Sequence, residues 1–190
     1  MNSRIEEVVK ELESAGRDAR ESFGSLSDEQ LNWKPSEKGW SVAQCLDHLI
    51  RSNVEFDDDW PKLHSGSRSS SFVEKWSPLT GFWGRFLIKT LANDAKKAKA
   101  PSKAIVPPSD IEPGIVDRFL ENIELTNKNI AACDGLDLKK TILTSPFLGI
   151  VTYNLDDAFS ILVEHTKRHI RQAKRVAEAD GFPNELRQAA

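Results

Sequence analysis

LVEHTKRHIRQAKRV, Leu162–Val176, is the stretch on which the reading of this chain turns. Its apolar residues return at steps of three and four, the period of an amphipathic helix. The apolar stripe, followed outward, is centred near Phe159, Ile170 and Ala177. His165 and His169 stand one turn apart on the same helix face. At about 100° per residue, His169 falls roughly 80° and His165 roughly 120° from the stripe's centre. The pair therefore borders a buried face. That position suits two ligands of one metal ion, and it equally suits two polar residues on a solvated flank.

Working outward, Asn154 or Asp156 can cap the start of this helix, and Gly181 and Pro183 follow its end near Asp180. Arg171, Lys174 and Arg175 suit the negative end of the helix dipole. Three other stretches share the period. The first spans residues 3–23, with Ile5, Val8, Leu12, Ala19 and Phe23. The second opens at Ser41, carries Val42, Cys45, Leu46 and Leu49, and is expected to run to about Asp59, where Trp60-Pro61 stops it. The third begins near Gly114, carries Phe119, Ile123 and Ile130, and ends by Asp134-Gly135. Ser27 with Gln30, and Ser41 with Gln44, have capping-box spacing.

Between the second and third helices, residues 64–71 read as a polar, mobile loop, and residues 78–94 hold a shorter helix whose aromatics cover an edge. Residues 99–114 carry Pro101, Pro107, Pro108 and Pro113 and read as a stiff extended connection. TILTSPFLGIVTYN, Thr141–Asn154, reads as an extended crossing segment with no evident partner strand. Four long helices that each bury a stripe make the expected class all-α, a four-helix bundle with a long connection between helices two and three. One domain over 1–190 is expected, with 60–113 as its variable part.

Composition fits that class: 39% apolar, 29% charged, with a mean hydropathy of -0.45. A net charge of -3 offers no basic face for nucleic acid. Lys96, Lys97, Lys99 and Lys103 read as a solvated linker. Two cysteines make no disulfide scaffold, and Cys45 and Cys133 read as small core residues. The N-terminus is charged and amphipathic, unlike a signal peptide, and no run of apolar residues is long enough for a membrane span. A cytoplasmic protein is expected.

The zinc-protease signature needs a glutamate directly after its first histidine, but Thr166 follows His165 and Glu164 precedes it. Nucleophile-elbow, Walker and dinucleotide-binding motifs are absent as well. His48 lies on the second helix, roughly 120° from the centre of a stripe through Val42 and Leu49. One histidine from one helix and two from another can form a three-histidine site with an open position. His64 reads as a solvated loop residue.

Three features together carry a resemblance. LNWKPSEKGWSVAQCLDHL, Leu31–Leu49, opens a helix on Trp-Ser and reaches His48. TSPFLGIVTYNLDDAFSILVEHTKRHIRQAKRV, Thr144–Val176, approaches a last helix bearing HxxxH. The order is one histidine in the second helix, then a pair in the fourth. In these the chain resembles the DinB/YfiT-like superfamily of small metal-binding bundles, with 60–113 the least similar region. The resemblance implies a bundle of unusual connectivity, often a homodimer, with zinc or nickel on His48, His165 and His169. It implies a metal-dependent enzyme on a small-molecule substrate, most concretely an S-transferase that joins a low-molecular-weight thiol to an electrophile. A metal-dependent hydrolase, or a non-catalytic dimeric module that binds a metal or ligand, is the alternative. Metal affinity is expected to fall as pH drops through the histidine range. Gln44 and Ser52, one turn either side of His48, are candidates to line the site. Asp47, Glu164 and the run Asp57, Asp58 and Asp59 read as solvated carboxylates. Trp40, Trp76 and Trp83 either wall a pocket or pack in the core or a dimer.

Overall fold

The computed structural model describes residues 2–69, 71–77, 79–93 and 102–183. Lys96, Lys97 and Lys99 lie outside them, and Lys103 is exposed. The chain is mostly helical. Helix α1 spans Ser3–Phe23 and α2 spans Asp28–Asn32. Helix α3 spans Val42–Val54, α4 Trp60–His64, α5 Phe72–Trp76 and α6 Thr80–Leu91. Helix α7 spans Ile115–Ala131 and α8 Leu155–Ala177. The short strands β1, Ile142–Thr144, and β2, Thr152–Asn154, lie between the last two helices.

The four long helices pack in a ring, with α1 and α3 each touching both α7 and α8. Their stripes meet inside it: Val8 and Leu12, Leu46 and Leu49, Phe119 and Ile123, Phe159 and Ile170 are all in one buried cluster. Each such side chain contributes about 1.5–3 kcal/mol by leaving water. The caps follow the sequence. Ser27–Gln30 and Ser41–Gln44 both form reciprocal capping boxes, and the Asn154 side chain accepts from the Asp157 N–H. Helix α6 lies against α8 and β2. Its Gly84 is buried beside Asp157, and Arg168 of α8 donates to the terminal carbonyls of Thr90 and Leu91.

Two expectations are corrected. The second helix ends at Val54, and Trp60-Pro61 opens α4 instead of stopping α3. Proline lacks only an N–H that the first helical turn leaves unbonded anyway. The 141–154 segment contains its own partner strand. Strands β1 and β2 pair antiparallel, with Leu143 opposite Tyr153 and both buried. In the described part of the polar 64–71 stretch, Arg68 donates to Ile142 O at 2.7 Å and to the buried Glu74 carboxylate at 2.5 Å. Glu74 also accepts from the Ser71 N–H, while its own N–H donates to Ser71 Oγ. That reciprocal pair caps α5, and Ser71-Phe-Val-Glu74 is the S-x-x-E signature. Among the described residues, no helix is long and apolar enough to cross a membrane.

Candidate metal centre

Helices α3 and α8 pack against each other and bring His48, His165 and His169 together. One ring nitrogen from each lies within 4.8 Å of those of the other two. Ring centroids are 4.5 Å apart for His48 and His169, 4.7 Å for His165 and His169, and 5.0 Å for His48 and His165. Among the described residues no carboxylate or thiol joins them. His48 and His169 are buried and His165 is half-buried. Trp40 covers one side. Its ring is 4.9 Å from His48 and stacks on His169 at 5.8 Å.

The flank phase of each histidine therefore becomes convergence where two stripes meet. His48 is more buried than its phase implies, because the 102–113 connection lies over it. The ring donates from Nδ1 to Ile105 O at 2.6 Å. A carbonyl can only accept, so Nδ1 carries the proton and Nε2 carries the lone pair. That Nε2 is 3.1 Å from His165 Nε2.

Burial lowers the pKa of all three imidazoles. For His48 the Ile105 carbonyl and the Asp47 charge oppose it. His165 is pushed down to about 3, by burial first and then by His48 and Arg168. His169 falls well below its usual value, by burial first and then by its two histidine neighbours and Arg168. Neutral imidazole is the ligating form, so protons compete for these nitrogens only at lower pH than for free histidine.

The residues fit a metal ion on three counts. The donor set is the three-imidazole set of open zinc sites. Two nitrogens each about 2.0–2.1 Å from one ion, at a tetrahedral angle, stand roughly 3.3 Å apart, close to the 3.1 Å between His48 and His165. His169 Nδ1 is buried with no hydrogen-bond partner.

The other candidates sit elsewhere. Gln44 is spent on its capping box and on Pro108 O, and Ser52 Oγ donates to the His48 carbonyl, so neither lines the cluster. Asp47 is held by Arg51 at 2.5 Å and Glu164 faces Lys167 at 3.9 Å. Asp57 and Asp58 are exposed, and Asp59 is half-buried with its carboxylate 3.8 Å from Arg68. His64 is exposed on the last turn of α4, not in a loop, and its Nε2 is 2.9 Å from Asn129 O. Trp83 packs half-buried against the core, while Trp76 is 74% exposed. Three participants had no reading in the sequence, one of them Gln172, whose side chain hydrogen-bonds His169. The Ile105 carbonyl is backbone, 57 residues from its partner, and carries no sequence signal. Arg168 was visible one residue before His169 as a nearby charge.

Cys45 and Cys133 are fully buried free thiols, pushed up to about 12 and about 11 by burial. Neither is a nucleophile at neutral pH.

Comparison with curated proteins and with solved structures returned no match. A family model described as the DinB superfamily matches residues 11–173. The match runs from within α1 to within α8 and includes all three clustered histidines, and the chain belongs to the DinB superfamily.

Proposed function

We propose that the chain is a divalent-metal-dependent enzyme, with His48, His165 and His169 as ligands and zinc or nickel as the ion. On this reading it is a cytoplasmic S-transferase that joins a low-molecular-weight thiol to an electrophilic small molecule. The ring of long helices is taken as the superfamily's four-helix bundle. The observation that supports the reading is the convergence of three neutral imidazoles, two buried and one half-buried.

A divalent ion held there supplies Lewis acidity, which lowers the pKa of a bound water to about 7 or holds a thiol as thiolate. The chain's own residues supply the rest. The Ile105 carbonyl fixes which nitrogen of His48 faces inward. Trp40 shields two of the rings from water. Both cysteines are buried and protonated, so the reacting sulfur comes from a separate small thiol. A hydrolase would use the same ligands with water in place of the thiol.

The aromatics Phe72, Trp76, Phe82 and Phe86 are 46–78% exposed on α5 and α6. Exposed aromatics of this kind support a second copy as a partner.

The test begins with elemental analysis of the purified protein, where about one ion per chain is expected. Metal-loaded protein is then incubated with small thiols and a haloarene. Thiol should be consumed faster than with the His48→Ala variant. Equal rates would remove the transferase reading. No metal uptake, even after reconstitution, would leave a non-catalytic ligand-binding module.

A further inference from the structure

The Pro-rich connection does more than join two helices. Residues 105–111 contain no helix or strand, yet they are anchored at both ends and the middle. Ile105 is 2% exposed and Ile111 6%. Pro107 and Pro108 have no N–H to offer, so this backbone can be held mainly through its carbonyls. Two carboxamides hold it. Gln44 Nε2 donates to Pro108 O at 2.7 Å. Asn32 Nδ2 donates to Ile111 O at 2.9 Å, and Asn32 Oδ1 accepts from the Ile111 N–H at 3.0 Å. The carbonyl so positioned is that of Ile105, 2.6 Å from His48 Nδ1.

We infer that residues 105–111 are a strap that holds the His48 ring in its Nδ1–H form with Nε2 turned to the other histidines, and that Gln44 and Asn32 are positioning residues for that ligand. The inference rests on the three-histidine reading. Gln44 stands one turn before His48, so one helix carries both the ligand and the clamp on its partner. With Nε2 protonated instead, the Ile105 carbonyl would lose its donor and an N–H would point at His165. A loosened strap removes the bond that excludes this form.

Two variants separate the clamp from the fold. Gln44→Glu keeps the oxygen that accepts the Ser41 N–H, and glutamate is a normal capping-box residue. It replaces the donor to Pro108 O with a second carboxylate oxygen. Asn32→Asp likewise keeps its acceptor and loses its donor to Ile111 O. Loss of an outer partner of a metal-binding histidine typically costs about 10- to 100-fold in metal affinity. Zinc affinity, read by competition with a chromogenic chelator, should fall about tenfold in Gln44→Glu, and by less in Asn32→Asp, with helix content retained. A carboxylate added one turn from His48 would by itself raise affinity for a cation. A fall in folded Gln44→Glu is therefore a fall against that bias, and an unchanged or raised affinity together with a wild-type His48 nitrogen spectrum in the same variant overturns the inference.

The second readout is the imidazole nitrogen spectrum of the metal-free wild type, which reports the tautomer directly. His48 as Nδ1–H is expected. An Nε2–H form overturns the strap whatever the variants do. A wild type that takes up no zinc while His48 remains Nδ1–H would remove the metal reading and leave the strap's hold on the ring intact.

Discussion

Gly84→Ala tests how α6 is seated on the helix that carries two of the histidines. In an ordinary helix interior this change stabilises by about 1 kcal/mol, because glycine loses more backbone freedom on folding. Here a Cβ at position 84 would lie 2.8 Å from Asp157 Cβ, 2.6 Å from Cγ and 2.2 Å from Oδ2. Rotating the carboxylate relieves the last contact only, and it breaks the Asn154 Nδ2 bond to Asp157 Oδ2. The Cβ–Cβ contact remains. Carbon atoms prefer about 3.5–4.0 Å, so α6 must retreat from α8 by about 1 Å.

Overpacking of this kind costs about 1–3 kcal/mol. Because the clash reaches the first side-chain carbon, the upper half of that range applies. Set against the gain of about 1 kcal/mol, the net loss is about 1–2 kcal/mol. For a chain of this size that lowers Tm by roughly 2–8 °C. Gly81 is the control on the same helix, since a Cβ there meets nothing within 4 Å. Gly81→Ala should leave stability unchanged or raise it by a few tenths of a kcal/mol. Thermal and urea unfolding of the two variants beside wild type reads the difference. A Gly84→Ala protein as stable as Gly81→Ala, or more so, would refute this packing of α6 on α8.

Other outcomes follow from the same geometry. His165→Ala should remove most bound metal while leaving circular dichroism near wild type; unchanged metal stoichiometry would sink the ligand assignment. Glu74 is buried, which raises its pKa, but the Arg68 guanidinium, the Ser71 N–H and the Thr144 hydroxyl together hold it below the usual glutamate value. Its stabilisation is therefore full above about pH 4.5 and is lost as pH falls through the lowered folded value, at up to about 1.4 kcal/mol per pH unit. Glu74→Gln leaves Arg68 short of its partner, so it should cost about 3 kcal/mol at pH 7 and flatten the decline in urea midpoints below pH 4.5. Equal pH profiles would refute that role. Ellman's reagent should find no reactive thiol in the native protein and two after unfolding; fast native labelling would contradict the burial of Cys45 and Cys133. Phe82→Glu should shift the protein toward monomer in light scattering if α5 and α6 face a second copy, and an unchanged mass would discard that surface.

The long helices were legible because their apolar residues recur over many turns, and a period repeated that often survives a few misleading positions. Both capping boxes were legible for a local reason, since Ser41 and Gln44 satisfy each other within one turn. The hairpin was not. Its strands are three residues each, too short for alternation to show, and both lie inside one run of β-branched residues. Trp60-Pro61 misled because proline both ends and begins helices, and only the surrounding chain decides which. At the site, helix phase placed His48 on a flank, which describes α3 alone. Its burial comes from Ile105, a residue distant in sequence that meets it only in the folded chain. Gln44 shows the same limit. Its Oε1 role was written in the S-x-x-Q spacing, while its Nε2 role needed Pro108 in place.

The charge of the site bears on which chemistry it favours. Three neutral imidazoles cancel none of the charge of a divalent ion. Among the described residues no carboxylate joins the cluster to do so. Asp47 and Glu164, the nearest in sequence, face Arg51 and Lys167. Arg168 adds a positive charge that both His165 and His169 sense. In a buried setting these charges act at short range and with little screening. An anionic partner is favoured at such a centre over a neutral one. A small thiol gives up its proton far more readily than water does, so a thiolate is one nucleophile this environment draws in. The chain's own thiols cannot serve, since burial holds both protonated within the core. Hydroxide is an anion as well, so the charge balance suits either proposed nucleophile at the same three histidines, and the thiol-consumption assay separates the two readings.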